Sequence, residues 1–236
     1  MLTGRRVLIP GGTGGVGEGV VRAYLAAGAQ VVVPTRSEQR AAEFRQILGA
    51  AAGDRLQVVV HDYTSLAGAE RLVAGLGDPL DDVVAPIGGY WGGRSLQAID
   101  AADWQSAFVD LATTHIAVMR AALPRLSRTG AYQIVAGESG LRPMAGAGLL
   151  SMQQSALLMM RSVLEAEVED RQRVFALVLG PVRTRSVGDA HPGWISAGQI
   201  GEVAVAVSAS AGPGREIRLP DSAAATNALA LLRGRG

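Results

Sequence analysis

The sequence predicts an α/β fold of the doubly wound type, a seven-stranded parallel sheet with helices on both faces. Strands and helices alternate along the chain, which is typical of parallel strands joined by helical crossovers. The strands are continuous apolar runs, which indicates burial on both faces. A glycine-rich stretch joins the first strand to the first helix. In such sheets ligands bind at the carboxyl ends of the strands, so we expect the site there.

The first half of the chain supplies four strands and three helices. Apolar residues recur at helical spacing after Gly17 and stop before Gly28, a usual helix terminator. Ser37 is a residue type that caps helices, and it precedes a helix that we expect to end near Leu48. The predicted strands are 6–9, 30–33, 56–61 and 82–87, and the predicted helices are 18–27, 38–48 and 66–76.

The second half continues the alternation. A long helical pattern ends at Pro124, because proline cannot continue a helix. The predicted helices are 104–123, 149–169 and 199–208, the predicted strands are 132–136, 173–179 and 215–219, and residues 227–232 are expected to form a closing helical turn. Since no repeat, linker or low-complexity tract appears, we expect residues 1–236 to form a single dinucleotide-binding domain.

The stretch from Arg6 to Gly17 is a strand, a glycine loop and the start of a helix. Five glycines in seven residues let the backbone turn sharply and bring its N–H groups close to a pyrophosphate. Their spacing satisfies several glycine motifs at once, so the loop does not name a subfamily. We expect it to bind a dinucleotide through Gly11, Thr13, Gly15, Val16 and Gly17. The alternative is a glycine-rich turn that binds nothing.

The end of the second strand bears on the choice of cofactor. A carboxylate about 20 residues beyond the glycines would bond the ribose 2′-hydroxyl and repel a 2′-phosphate. Thr35 and Arg36 stand there instead. A hydroxyl and a guanidinium suit phosphate, which favours NADP(H) over NAD(H). The alternative for Arg36 is a solvated arginine near a helix start.

Composition narrows the classes of function and partner that remain possible. The chain has 236 residues, a net charge of +1, no cysteine and three histidines far apart in sequence. These values disfavour nucleic acid or membrane partners, thiol chemistry and a metal site. Only three apolar residues follow Arg5-Arg6 before Pro10, too few for a signal segment, so we expect a cytoplasmic protein. All 22 basic residues are arginine, so the chain contains no lysine.

From Leu8 to about Leu219 the chain resembles the short-chain dehydrogenase/reductase superfamily, whose sheet is Rossmann-like. The glycine loop resembles the family's T-G-x-x-x-G-x-G with Pro10 for threonine, and Asp62 resembles the aspartate that contacts adenine. The segment 180–184 resembles P-G-x-x-x-T, and Gly88 is the surviving glycine of N-N-A-G. The resemblance implies cofactor contacts from Asp62, Gly88, Gly180, Val182 and Thr184, a small-molecule substrate, and a homodimer or homotetramer.

The catalytic Y-x-x-x-K pair of that family is missing. Aligning the helix after strand five puts Leu150 at the tyrosine and Gln154 at the lysine. Slippage does not restore the pair, because the chain has no lysine and no tyrosine after Tyr132. Gln154 can still bond ribose hydroxyls, but a neutral amide cannot tune an acid. Ser139 lies where the family has its catalytic serine; the alternative is a turn-forming serine.

Other groups could supply the missing proton. Tyr90 follows strand four and is our leading candidate, with a pocket wall as its alternative. His115 is a second candidate, with a buried core histidine as its alternative. Arg142 could polarise an oxyanion, with a solvated arginine on a turn as its alternative. The family's relay asparagine falls on Asp110 or Leu111, which we leave unassigned. Residues 185–197 correspond to the family's substrate lid.

Three functions remain open. The first is an NADP(H)-dependent oxidoreductase that reduces a small carbonyl or conjugated substrate with a non-standard proton donor. The second is a catalytically inactive NADP(H)-binding sensor or structural partner protein. The third is non-redox chemistry on the same scaffold. For any of them, the apolar helix 149–169 predicts self-association, because its apolar residues exceed one buried stripe.

Overall fold

Strands and helices alternate from Arg6 to Arg233 in the computed structural model, which describes residues 1–77, 79–168, 172–187 and 191–234. In chain order they are β1 (Arg6–Leu8), α1 (Gly15–Ala26), β2 (Gln30–Thr35), α2 (Glu38–Leu48), β3 (Leu56–Val60), α3 (Leu66–Leu76), β4 (Leu80–Ala85), α4 (Ala101–Trp104), α5 (Asp110–Ala122), β5 (Leu126–Gly137), α6 (Gly148–Glu167), β6 (Arg173–Leu179), β7 (Val182–Arg183), β8 (Ile195–Ser196), α7 (Ala197–Ala209), β9 (Glu216–Leu219) and α8 (Ser222–Arg233).

Seven of these strands form one parallel sheet in the order β3-β2-β1-β4-β5-β6-β9. Strand β1 pairs with β2 on one side, Val7 opposite Val31, and with β4 on the other, Val7 opposite Asp82. The winding direction reverses between β1 and β4, so a crevice opens beyond their carboxyl ends. Strands β7 and β8 form a separate two-stranded parallel pair. The predicted seven-stranded fold is confirmed.

Two apolar clusters cover the two faces of the sheet. Alternate residues of one strand enter different clusters: Phe175, Leu177 and Leu179 of β6 pack with α1, α7 and α8, whereas Val174 and Val178 pack with α3, α5 and α6. This division is what a strand buried on both faces requires, since neighbouring side chains point in opposite directions. Apolar runs without polar alternation therefore predicted the layers correctly.

Helices α1 and α7 approach each other closely at two glycines. A Cβ on Gly19 would overlap the Ala197 carbonyl, and a Cβ on Gly201 would meet the Gly19 carbonyl and the Ala23 side chain. This contact fixes the start of α1, and with it the glycine loop, against the helix that follows the β6 exit.

Several helices and strands begin or end at residues other than those predicted, for local structural reasons. The helix predicted at 104–123 is three segments, α4, a π-helical stretch Gln105–Val109 and α5, and it begins early because Asp100 and Asp103 form a capping box. Strand β5 is longer than predicted. The helix predicted to end at Glu169 ends at Glu167, and Glu169 itself lies outside the described residues. Within the described ranges no helix is long and apolar enough to cross a membrane.

Candidate functional site

A cleft of about 460 Å³ lies beyond the carboxyl ends of β1, β2 and β4. It is lined by Gly11, Thr13, Gly14, Thr35, Arg36, Arg40, Tyr63, Thr64, Pro86, Ile87, Gly88, Ser106, Asp110, Leu111, Thr113 and Thr114. Five residues predicted to bind the cofactor, Gly11, Thr13, Thr35, Arg36 and Gly88, therefore share one cleft at the position where the strand order reverses.

The glycine loop is shaped by close backbone approach. Gly11 has φ +83°, and a Cβ there would lie 2.5 Å from the Pro86 carbonyl oxygen. A Cβ on Gly17 would overlap the Gly11 carbonyl, so neither position accepts a larger residue without movement. These two glycines let the loop pass between the β4 exit and the first turn of α1.

The amino end of α1 is left uncapped by any side chain. Its N-cap is Gly14, whereas Ser37, Ser65, Ser196 and Asp221 accept hydrogen bonds at the starts of α2, α3, α7 and α8. The N–H groups of a first turn have no partner within the helix. At α1, where Gly15, Val16 and Gly17 form that turn, they suit the oxygens of a phosphate.

Two arginines of the lining give the cleft a positive charge. Arg36 follows β2, and Arg40 lies one helical turn later on α2. Within the described ranges neither guanidinium forms an ion pair or hydrogen bond, whereas Arg5, Arg22 and Arg94 are all ion-paired. Unpaired guanidinium groups can bind phosphate without first breaking an ion pair.

Asp62 is also near Arg36, but its carboxylate is already hydrogen-bonded to a residue close by in sequence. Its Oδ1 accepts hydrogen bonds from the Thr64 N–H at 3.0 Å and the Thr64 hydroxyl at 2.7 Å. These bonds, with the charge of Arg36 nearby, hold the pKa of Asp62 below its usual range. The side chain is exposed and ionised at neutral pH; its predicted contact with the cofactor stays a prediction.

The β6 exit lies against α1 rather than in the 460 Å³ cleft. A Cβ on Gly15 would be 2.9 Å from the Thr184 Cβ, and the Arg185 Nε donates to Glu18 Oε2 at 3.1 Å. Gly180 donates its N–H to the Leu219 carbonyl, and Val182 pairs with Ile195 in β7 and β8. The structure thus brings Gly15 and Thr184 together, while part of the predicted lid, residues 188–190, lies outside the described residues.

Gln154 stands at the position of the family's lysine, and its side-chain amide is hydrogen-bonded to other residues of the protein. Gln154 is buried; its Oε1 accepts from the Gly137 N–H at 2.6 Å, and its Nε2 donates to Gln153 Oε1 at 2.6 Å. Gln154 therefore ties α6 to the carboxyl end of β5. Its predicted cofactor contact would use the remaining hydrogen of Nε2.

Ser139 and Tyr90 differ sharply in exposure. Ser139 is buried in a 3₁₀ turn after β5 and lines a separate cavity of about 520 Å³, whose wall includes Arg142, Ser151 and Met152. Tyr90 is 81% exposed. The linings of this cavity and of the cleft share no residue. The catalytic roles of Ser139 and Tyr90 stay predictions.

His115 is a buried core residue rather than an accessible acid. Its Nε2 donates to the Ile87 carbonyl at 2.8 Å, because a carbonyl can only accept, and burial lowers its pKa to about 4. The ring is therefore neutral at pH 7. This favours the alternative interpretation of His115, support for the end of β4.

Sequence reasoning missed several residues of the cleft. Tyr63 directly follows Asp62, and its hydroxyl accepts from the Gly11 N–H at 3.2 Å. Arg40 could have been found from its place in the first turn of the predicted helix 38–48, four residues after Arg36. The Tyr63 contact joins residues 52 positions apart, so no local pattern signalled it.

Comparisons with known proteins agree with this architecture. A family model of short chain dehydrogenases matches residues 5–193. A rhamnolipid-biosynthesis 3-oxoacyl-[acyl-carrier-protein] reductase from Pseudomonas aeruginosa is 30% identical over 158 residues, 66% of this chain and 60% of the relative. A Streptomyces lividans protein named "Probable oxidoreductase" is 38% identical over 87 residues, 37% of this chain and 29% of the relative. The chain spans less than two thirds of the length of either relative.

Solved structures show the same fold at low identity. A short-chain dehydrogenase/reductase from Brucella melitensis superposes with a TM-score of 0.80 at 20% identity, covering 92% of this chain and 96% of that one. Serine dehydrogenase from Escherichia coli gives 0.78 at 22% identity, covering 91% and 96%. These likenesses concern the fold alone, but the family model covers most of the sequence. The chain belongs to the short-chain dehydrogenase/reductase superfamily.

Proposed function

We propose that this protein is an NADP(H)-dependent oxidoreductase that reduces a small carbonyl or conjugated substrate with a non-standard proton donor. The observation that carries the proposal is the lining of the cleft, which includes Gly14, the N-cap of the uncapped helix α1, together with Arg36 and Arg40, whose guanidinium groups have no partner among the described residues. The residues at the end of β2, Thr35, Arg36 and Ser37, include no carboxylate that would repel a 2′-phosphate. The cofactor, when bound, supplies the hydride.

Residues of this chain would bind the cofactor and the substrate and supply the proton. The first-turn N–H groups of α1 hold phosphate oxygens, and Arg36 with Thr35 binds the 2′-phosphate. The Ser139 hydroxyl bonds the substrate oxygen. Leu150 has no proton to give, so the proton comes from Tyr90 or from water.

A two-stage experiment tests this function. NADPH and NADH are titrated by fluorescence, and NADPH consumption is then followed with ketones, aldehydes, quinones and enones. A 3-oxoacyl thioester joins the panel because of the name of the Pseudomonas relative. Tighter NADPH binding with turnover on one class supports the proposal. Failure to bind either dinucleotide would overturn it.

A second function, an NADP(H)-binding sensor or structural partner without turnover, is favoured by the Gln154 contacts. This amide is bonded to Gly137 and Gln153, and no cation is available at its position to activate an acid. The double variant Leu150→Tyr with Gln154→Lys restores both the proton donor and the cation of the family's catalytic pair. If wild type and double variant bind NADPH yet neither oxidises it with any substrate, the sensor is the better function.

Self-association is part of the proposal. On α6, Leu149 and Leu157 are buried within the subunit, but Met152, Met159 and Val163 are exposed. An apolar face left in water suits a second copy of the chain, which supports a homodimer or homotetramer. We place the protein in the cytoplasm and treat residues 1–236 as one domain.

A further inference from the structure

Tyr63 presents one side of its hydroxyl to the glycine loop. The ring is buried and belongs to the apolar cluster that also contains Leu8, Val83 and Ile87. The hydroxyl oxygen accepts the Gly11 N–H at 3.2 Å. Gly11 has φ +83° and is held close to the Pro86 carbonyl, so this bond fixes the loop where it turns most sharply.

The other side of the hydroxyl is a free donor in the cleft. A phenol that accepts one hydrogen bond still has its own O–H to donate. In the described part of the chain that O–H has no acceptor, although Tyr63 lines the cleft together with Thr13, Arg36 and Arg40. Burial raises the pKa of the Tyr63 hydroxyl, so its proton is present at neutral pH.

The surroundings of the hydroxyl favour an oxygen-rich anionic ligand. Arg36 and Arg40 both act electrostatically on Tyr63, and Tyr63 follows β3 beside Asp62. Arg36, Arg40 and Tyr63 all line the cleft, whereas Ser139 lines the separate cavity of about 520 Å³. With Arg36 proposed to bind the 2′-phosphate, the adenosine half of a dinucleotide would lie in this cleft.

We propose that Tyr63 is a binding residue for the adenosine half of the cofactor, whose hydroxyl accepts from Gly11 and donates to an oxygen of the ligand. The inference rests on the proposed function, since it assumes a dinucleotide in the cleft. It adds a direct ligand contact that links the end of β3 to the glycine loop. A phenylalanine here would fill the same apolar space but could make neither bond.

The test is equilibrium binding of NADPH and of 2′,5′-ADP, which lacks the nicotinamide half, to wild type and Tyr63→Phe. We expect both ligands to bind about fivefold to thirtyfold more weakly to the variant, the range of one or two lost hydrogen bonds. Exchange of the Gly11 amide proton in the free variant should also become faster, because its acceptor is gone.

Tyr132→Phe is the matched control. Tyr132 lies in the same apolar cluster, but its buried hydroxyl has no hydrogen-bond partner among the described residues, and Tyr132 does not line the cleft. Its removal should leave both dissociation constants unchanged. Unchanged binding in Tyr63→Phe, or an equal loss in Tyr132→Phe, would overturn the role of Tyr63 while NADPH binding by wild type still stands. Absence of binding by wild type would overturn the proposed function and the inference together.

Discussion

Replacing Asp82 with asparagine should remove a pH dependence from the stability of this protein. Asp82 is fully buried on β4, where its Oδ2 is 2.9 Å from the Arg5 guanidinium and its Oδ1 accepts from the Ala131 N–H at 3.1 Å. Tyr24, Ser208 and the more distant Arg173 complete the polar surroundings. Burial raises the pKa of Asp82 to about 6, against the lowering effects of Arg5, Ser208 and Ala131.

The size of the effect follows from linkage. An aspartate near 3.9 in the unfolded chain and about 6 in the folded protein keeps its proton in the native state through the intervening pH range. Because the native state then binds more protons, its free energy of unfolding falls as pH rises from about 4 to above 6. Two pKa units correspond to about 3 kcal/mol, present below the unfolded pKa and lost once the pH exceeds the folded value.

Urea unfolding at pH 4, 5, 6, 7 and 8 measures this directly. The difference in stability between Asp82→Asn and wild type should shift by roughly 2.4 kcal/mol in favour of the variant from pH 4 to pH 8, because the aspartate of the unfolded chain is already about half ionised at pH 4. Tyr132→Phe, which changes no group that titrates in this range, should run parallel to wild type. Parallel curves for Asp82→Asn and wild type would refute the reasoning, whatever their offset.

Three further changes test the site and the surface. Arg36→Ala should weaken NADPH binding about tenfold to a hundredfold and NADH binding far less, as charge-assisted bonds to a 2′-phosphate require. Arg45→Ala on α2, whose guanidinium donates to the Val58 carbonyl, is the control, and equal losses for both cofactors would count against the assignment. Tyr90→Phe should lower kcat by about 10² to 10⁴ if Tyr90 is the acid, and an unchanged rate would exclude it. Met159→Arg should lower the mass found by light scattering at micromolar concentration, and a monomeric wild type would contradict self-association.

The fold could be predicted from the sequence because its determinants are local and repeated. Apolar runs, Ser37 and the pattern of 66–76 each report on a few neighbouring residues, and the last was predicted to the residue. Bounds failed where a side-chain bond extended an element, as the Asp100 and Asp103 capping box did for α4. The length of β5 was missed because its first residues lack a continuous apolar run.

The candidate site could be predicted only in part, because its contacts join distant segments. The loop glycines and Arg36 were found through their positions at strand ends. Tyr63 was not, since its bond to Gly11 exists only once β3 and β1 are brought to the same edge. The burial of His115, which decides its protonation, likewise depends on the packing of α5 against the end of β4.

At Gln154 the fold is preserved although the catalytic lysine of the family is absent. A lysine there would carry a positive charge, but the glutamine is neutral: its carbonyl oxygen accepts from the Gly137 N–H and its amide donates to Gln153, both within the protein. The β5 end and α6 are thus held together by a neutral link, which a cation could not make in the same way because an ammonium group only donates. A catalytic pair can therefore be absent while the sheet edge that carries it stays bound to α6. For that reason turnover has to be tested at the proton donor, whereas cofactor binding can be tested at the glycine loop, Arg36 and Tyr63.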